Sequence, residues 1–130
     1  MLDRDGVKIH YEDHGKGPAI LLSHGYSATC RMWDGQIAAM KDRFRVIVWD
    51  MRGHGDSEVP DEKQFSFQRL TQDVLELADH LQCPQFHLAG SSAGAIIAMQ
   101  IALDHPQRVK TLANFAAAPG ASPYVLCFMP

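Results

Sequence analysis

The sequence has few cysteines and no long apolar run, and each shortage excludes a class of protein. Its three cysteines, Cys30, Cys83 and Cys127, include no C-x-x-C spacing. This argues against a disulfide framework or a zinc site and favours reduced thiols in a cytoplasmic protein. The longest apolar run, residues 95–99, is too short to cross a bilayer, and the charged N-terminus lacks the apolar centre of a signal peptide.

Runs of basic residues are missing as well. The 130 residues carry 12 Lys or Arg against 15 Asp or Glu, which gives a net charge of −3. This balance makes nucleic acid and anionic membrane surfaces poor partners. We expect a small-molecule ligand instead, and no feature of the sequence indicates an oligomeric state.

The common cofactor and metal motifs are also lacking. There is no G-x-x-x-x-G-K-[ST] phosphate loop, and residues 53–58 lack the third glycine of a dinucleotide fingerprint. His10 and His14 are four residues apart, but Tyr11 stands where H-E-x-x-H has its glutamate, and the segment reads as strand and turn. The sequence therefore predicts no cofactor and no metal.

The hydrophobic pattern predicts an α/β fold. With 46% hydrophobic residues, the chain can form one ordinary globular core. Strand-like runs alternate with helical periods, which predicts a mainly parallel sheet with flanking helices. The predicted strands are 7–12, 19–23, 45–49, 85–89 and 109–115, and the predicted helices are 30–40, 66–81 and 93–103. The third helix is apolar on nearly all sides and is expected to be buried, whereas the tail 116–130 shows no period.

A nucleophile elbow is predicted at Gly90-Ser91-Ser92-Ala93-Gly94. The pentapeptide fits G-x-S-x-G with Ser92 at its centre, and it lies between a predicted strand and a predicted helix, as the motif requires. Such a turn is so tight that side chains at the two glycine positions would collide with neighbouring backbone. It would present Ser92 at a helix N-terminus, where the N–H of Ala93 can bind an oxyanion. Taken alone, the pentapeptide also fits a helix cap without chemistry.

Two further loops follow predicted parallel strands. His24-Gly25-Tyr26, here called the His-Gly loop, follows the strand 19–23, and residues 50–57, here called the Asp-Arg loop, follow the strand 45–49. Ligands of open α/β sheets bind at the carboxyl ends of the strands. The three loops should therefore meet at one edge of the sheet.

In this order, the three motifs resemble those of the α/β-hydrolase superfamily, in particular its small esterase, lactonase and C–C-hydrolase branch, over residues 6–119. The resemblance implies that the N–H groups of Tyr26 and Ala93 form the oxyanion hole. It also implies that Tyr26 and Ser91 line the substrate pocket. The other motif residues are expected to hold the loops in place, and they are His24, Gly25, Asp50, Arg52, Gly53, Gly55, Ser57, Gly90 and Gly94.

The serine at the elbow narrows the implied chemistry. Haloalkane dehalogenases and epoxide hydrolases of this superfamily use an aspartate there, whereas this chain has Ser92. The resemblance therefore favours a serine hydrolase that attacks an ester, lactone or related carbonyl compound and forms an acyl-enzyme.

The partners of a serine nucleophile are missing downstream. In this fold the order along the chain is Ser, then Asp or Glu, then His, yet no Asp, Glu or His follows His105. We therefore expect residues 1–130 to be the N-terminal part of a single hydrolase domain that stops after about the sixth strand and lacks the lid and last two strands. Strand 109–115 would then be an unguarded edge.

The expected activity of this chain alone is weak or nil. His24 and His54 lie on upstream loops near Ser92, but nothing in the sequence places either within hydrogen-bond reach of it, so neither is expected to replace the missing base. The alternatives to a serine hydrolase are a non-catalytic ligand-binding or regulatory module of the same fold and a truncated, non-functional product.

Overall fold

The backbone forms a hairpin and a six-stranded sheet. The structure, a computed structural model, describes residues 1–116 and 124–128. Its strands are β1 (Leu2–Arg4), β2 (Val7–Ile9), β3 (Tyr11–His14), β4 (Ala19–Ser23), β5 (Arg45–Trp49), β6 (Phe86–Ser91), β7 (Val109–Ala116) and β8 (Tyr124–Phe128). β1 and β2 form the hairpin, and the sheet has the order β3-β5-β4-β6-β7-β8.

The centre of the sheet is parallel and its two edges are antiparallel. β5, β4, β6 and β7 run in the same direction, while β3 and β8 run against their neighbours. β4 and β5 are nearly continuous apolar runs, as expected of strands that are covered on both faces. The predicted α/β fold with a mainly parallel sheet is confirmed.

In the described part of the chain, three helices connect these strands: α1 (Asp34–Met40), α2 (Phe67–His80) and α3 (Ala93–Asp104). Helix α2 begins after Ser66, whose Oγ accepts a hydrogen bond from the N–H of Arg69 at 3.1 Å. A single 3₁₀ turn, Cys30–Trp33, precedes α1, so the segment predicted as one helix over 30–40 divides in two. No helix within the described residues is both long and apolar enough to span a membrane.

The core occupies both faces of the sheet. Alternate residues of β5 point to opposite sides: Ile47 and Trp49 pack with α2 and α3, whereas Val46 and Val48 pack with Trp33 and the residues around α1. This alternation is the period of two expected of a strand. It leaves the carboxyl ends of the parallel strands free to carry loops.

Helix α3 is only half buried. Ile97, Ala98 and Ile101 face the core, but Ile96 is 51% exposed and Leu103 is 76% exposed. The expectation that this helix is buried on all sides is therefore wrong for the described residues. The apolar pattern alone does not say which neighbour covers each face.

The predicted strand 7–12 is broken at His10. The backbone of His10 bonds to the Asp-Arg loop instead of to a strand: its N–H donates to Ser57 Oγ at 2.8 Å, and its carbonyl accepts from the N–H of Asp50 at 3.0 Å. As a result β2 pairs with β1, while β3 pairs with β5. Strand β6 also runs two residues beyond its predicted end, to Ser91.

Strand β7 is not an unguarded edge. β8 pairs with it in antiparallel register from Leu112↔Phe128 to Ala116↔Tyr124. The prediction of an open edge was wrong, because residues 124–128, although apolar, follow Pro119 and Pro123 and show no clear period. Residues 117–123 and 129–130, which complete the predicted irregular tail, lie outside the described residues.

Candidate active site

Ser92 sits in a strained turn between β6 and α3. Its φ of 53° and ψ of −115° are a conformation that residues with a side chain rarely adopt. The turn is held by a hydrogen bond from the N–H of Ser92 to the carbonyl of Phe115 on β7, at 2.9 Å. The Ser92 side chain is exposed, and the half-buried Ser91 ends β6 beside it.

The two flanking glycines make this turn possible. A Cβ on Gly90 would collide with the carbonyl of Gly94. A Cβ on Gly94 would collide with the carbonyls of Ser23 and His24, at the end of β4. The elbow is therefore wedged against the neighbouring strand, and only hydrogen atoms fit at the two contacts.

The His-Gly loop passes directly beside Ser92. A Cβ on Gly25 would lie 3.1 Å from Ser92 Cβ and 3.7 Å from Ser92 Oγ. The structure thus brings together the loop that carries Tyr26 and the elbow that carries Ala93, although they are far apart in the chain.

His24 ties the His-Gly loop to the Asp-Arg loop. Its buried ring hydrogen-bonds through Nδ1 to the carbonyl of Gly25 at 2.6 Å and through Nε2 to the N–H of Met51 at 2.9 Å. These partners imply the tautomer with the proton on Nδ1. Burial lowers the pKa of His24, so the ring is neutral at pH 7. Since both nitrogens are occupied, His24 has no free atom with which to accept a proton from Ser92.

The Asp-Arg loop is organised around the side chain of Asp50. Its carboxylate accepts hydrogen bonds from the N–H groups of Cys30 at 2.7 Å and Asp56 at 3.0 Å. Gly55 has a φ of 51°, and a Cβ there would collide with the Asp50 carboxylate. Ser57 Oγ donates to the Asp50 carbonyl at 2.6 Å. The loop is closed by these contacts.

Arg52 forms a fully buried ion pair with Asp73 of α2. Its Nε and Nη2 donate to the two carboxylate oxygens at 2.8 and 2.7 Å, and Arg4 donates to the same carboxylate at 3.3 Å. Burial raises the pKa of Asp73, and the two arginines oppose that rise. Sequence reasoning missed Asp73. The available signal was a carboxylate three residues after Leu70 and four before Leu77, on the apolar face of the helix.

An aromatic cluster surrounds Tyr26. Its exposed ring lies 6.0 Å from the ring of His54, nearly parallel to it, and 6.1 Å from each of the rings of Phe65 and Phe67. The sequence did not identify these two phenylalanines as site residues, because they lie after the Asp-Arg loop and belong to none of the three motifs. Gly53, with a φ of 79°, allows the sharp turn before His54.

Residues 1–116 supply no histidine partner for Ser92. His54 Nδ1 hydrogen-bonds to the carbonyl of Arg52 at 3.3 Å, and both ring nitrogens of His24 are hydrogen-bonded to backbone groups. This part of the chain therefore presents an exposed serine, N–H groups at the start of α3 and an aromatic wall, without a base in contact with the serine.

Comparison with known proteins places this geometry in a family. Residues 18–124 match the family model described as the alpha/beta hydrolase fold. The chain is 33% identical to a pimeloyl-[acyl-carrier protein] methyl ester esterase of Aeromonas hydrophila, covering 95% of this chain and 44% of the relative. It is also 33% identical to bifunctional epoxide hydrolase 2 of Rattus norvegicus, covering 85% of this chain and 20% of that protein.

A solved structure of a hydrolase from Pseudomonas aeruginosa superposes with a TM-score of 0.80 at 38% identity, covering 86% of this chain and 43% of that one. The chain thus spans less than half the length of each of these relatives. Because the family model covers residues 18–124, well over half of the chain, the chain belongs to the α/β-hydrolase family.

Proposed function

We propose that this chain carries the nucleophile and oxyanion hole of a serine hydrolase acting on an ester, lactone or related carbonyl compound. The observation that carries the proposal is Ser92: an exposed serine held in a strained elbow at the start of α3. Strain of this kind persists only where the surrounding structure enforces it, and it is concentrated at functional sites.

The proposed reaction begins with attack of Ser92 Oγ on the carbonyl carbon. The resulting oxyanion would accept hydrogen bonds from the N–H of Ala93, at the first position of α3, and from the N–H of Tyr26. N–H groups in the first turn of a helix have no partner within the helix, and the helix dipole adds a partial positive charge. Collapse of the intermediate expels the alcohol and leaves the acyl-enzyme, which water then hydrolyses.

The base and its orienting acid are proposed to lie outside these 130 residues. Both nitrogens of His24 are already hydrogen-bonded, which argues against its use as a substitute. The chain covers less than half of its relatives, which supports the proposal that residues 1–130 are the N-terminal part of one hydrolase domain. Without the base, acceleration would fall to about 10³–10⁴-fold over water.

The identity of the nucleophile favours an esterase or lactonase over an epoxide hydrolase. Although relatives of both kinds are equally similar over this region, the elbow holds Ser92 rather than aspartate. We further propose that Tyr26, together with Phe65 and Phe67, contacts the apolar part of a small-molecule substrate, with Ser91 at the pocket floor. The free, buried thiols of Cys30 and Cys83 support a cytoplasmic location.

The second candidate is a ligand-binding module without catalysis. It is favoured by the lack of a histidine in contact with Ser92 among residues 1–116. In that case the aromatic cluster around Tyr26 would bind a ligand, and Ser92 would have no special reactivity.

A fluorophosphonate probe distinguishes the two candidates. The protein is expressed from its complete open reading frame, labelled, cleaved with trypsin and analysed by mass spectrometry. Tryptic peptide 70–108 contains both serines of the elbow, so fragmentation assigns the adduct. We expect an adduct on Ser92 that is lost in Ser92→Ala and retained in the matched control Ser91→Ala. An adduct on Ser91, or labelling unchanged by Ser92→Ala, would refute the proposal, and ligand binding without labelling would support the module.

A further inference from the structure

Three potential metal ligands meet outside the elbow. Single ligating atoms of His10, Cys30 and Asp50 all lie within 4.8 Å of one another. They come from three segments: the break between β2 and β3, the 3₁₀ turn after the His-Gly loop and the end of β5. The side chains of Cys30 and Asp50 are buried, and that of His10 is partly exposed. The proposed hydrolase reaction uses none of these three side chains.

We propose that His10, Cys30 and Asp50 bind a divalent transition-metal ion, and that Zn²⁺ is the ion their chemistry favours. Imidazole nitrogen, thiolate sulfur and carboxylate oxygen are the ligands that zinc prefers, and three protein ligands leave a fourth position for water. Ligands of a tetrahedral zinc lie about 3.3–3.8 Å apart, given bonds of about 2.0–2.3 Å. Side-chain adjustments of about 1 Å would bring the three atoms into place.

The cluster is held in advance by the surrounding backbone. The hydrogen bonds of His10 to Ser57 and to the N–H of Asp50 fix the backbone that carries the imidazole. The N–H of Cys30 donates to Asp50 Oδ1, which joins two of the ligands directly. A carboxylate has about four lone-pair positions, so Asp50 can keep both of its backbone hydrogen bonds and still coordinate an ion.

Charge balance also favours a divalent ion. Metal binding replaces the thiol proton of Cys30 with a sulfur–metal bond, and the proton leaves to solvent. The thiolate and the Asp50 carboxylate then carry two negative charges, which Zn²⁺ neutralises. A neutral buried site avoids the cost of an unpaired charge.

Two charged neighbours act on the cluster. Arg31 Nη2 lies 3.6 Å from Cys30 Sγ, which opposes a cation, but the Arg31 side chain is 54% exposed and its charge is already paired with Glu12. Glu12 Oε2 lies 3.3 Å from His10 Nε2. A carboxylate that orients a ligating imidazole is a usual outer partner of a metal site.

Cobalt titration tests the site without any need for catalysis. Co²⁺ bound to a thiolate produces an intense near-ultraviolet absorption band. The metal-free chain is titrated with CoCl₂, and the affinity for Zn²⁺ is then measured by competition with a chromophoric chelator. The matched control is Cys83→Ser, because Cys83 is also a buried thiol beside an arginine, Arg45 Nη1 at 3.4 Å, but is not part of a ligand cluster among the described residues. Cys127→Ser is a second control.

We expect the band to disappear in Cys30→Ser and to remain in both control variants. His10→Ala, which alters a partly exposed side chain, should weaken Zn²⁺ binding at least about tenfold. Circular dichroism verifies that each variant is folded. If Cys30→Ser does not fold, the zinc affinity of His10→Ala tests the proposal instead. The absence of a band in the unmodified chain at millimolar Co²⁺, a band that survives Cys30→Ser, or unchanged zinc affinity in His10→Ala would overturn the proposal.

Discussion

Replacing Asp73 with alanine should destabilise the protein more than any exposed charge substitution. Asp73 and Arg52 are both fully buried, and two short hydrogen bonds join them. Asp73→Ala would leave the Arg52 guanidinium buried with the carbonyl of Gln64, at 2.8 Å, as its remaining partner. Removing one member of a buried ion pair typically costs about 3–5 kcal/mol, because the other charge stays uncompensated.

The expected loss is large enough to measure by urea denaturation. With a typical slope of about 1.5 kcal/mol per molar urea, a loss of about 3–5 kcal/mol lowers the midpoint by about 2–3 M. Circular dichroism follows the transition. Should Asp73→Ala be unfolded without urea, Asp73→Asn keeps the volume and one acceptor oxygen, and its smaller loss can be measured instead.

The matched control lies on the same helix. Asp79 pairs with Arg108 at 2.7 Å, but its side chain is 60% exposed. An exposed ion pair of this kind contributes about 0–1 kcal/mol, so Asp79→Ala should shift the midpoint little. If Asp73→Ala costs no more than Asp79→Ala, the conclusion that the buried pair joins the Asp-Arg loop to α2 is refuted. Conversion of both residues, Arg52→Met with Asp73→Leu, should recover much of the stability that Asp73→Ala loses.

Four further substitutions test the packing of two glycines, the cap of α2 and the titration of a partly buried histidine. Gly94→Ala should destabilise the fold or displace the elbow, because the new Cβ would collide with backbone carbonyls. The control is Gly35→Ala in α1, where the new Cβ meets nothing within 4 Å and should stabilise the protein by about 0.5–1 kcal/mol. The urea midpoints of the two variants are compared. Ser66→Ala removes the cap of α2 and should cost about 0.5–2 kcal/mol by the same measurement; no change would contradict the capping role. Burial, with a smaller contribution from Lys110, lowers the pKa of His87 below 6.5, so the fold prefers the neutral imidazole. Stability is then complete above pH 6.5 and is lost as the pH falls below it, and His87→Gln should flatten the decline of Tm with pH over that range. An unchanged slope would contradict that account.

Much of the fold could be predicted because it depends on local patterns. The apolar runs of β4 and β5 predicted buried parallel strands, and the helical period of α2 predicted its extent to within one residue at each end. Each pattern repeats within a few residues, so it can be read without knowledge of any neighbour. Strand β8 was not predicted, because residues 124–128 show no such repeating pattern.

Part of the candidate site could also be predicted, because it too depends on a local pattern. Gly90 and Gly94 stand at the positions where the tight turn allows no Cβ, and this steric requirement involves only five consecutive residues. The partners of these residues were not predictable. The ion pair of Arg52 with Asp73 spans 21 residues and a helix, and no spacing rule connects the two.

The sequence by itself determined the α/β class, the elbow and the order of the three loops, since each depends on periodicity or on the steric limits of a short turn. The tertiary structure alone decided which residues from distant segments meet. It broke the strand at His10 by bonding its backbone to Ser57 and Asp50, and so brought His10 beside Cys30. It also left one face of α3 exposed and placed β8 on the edge of the sheet. Contacts of this kind arise from the packing of the whole chain, and a local pattern carries no information about them.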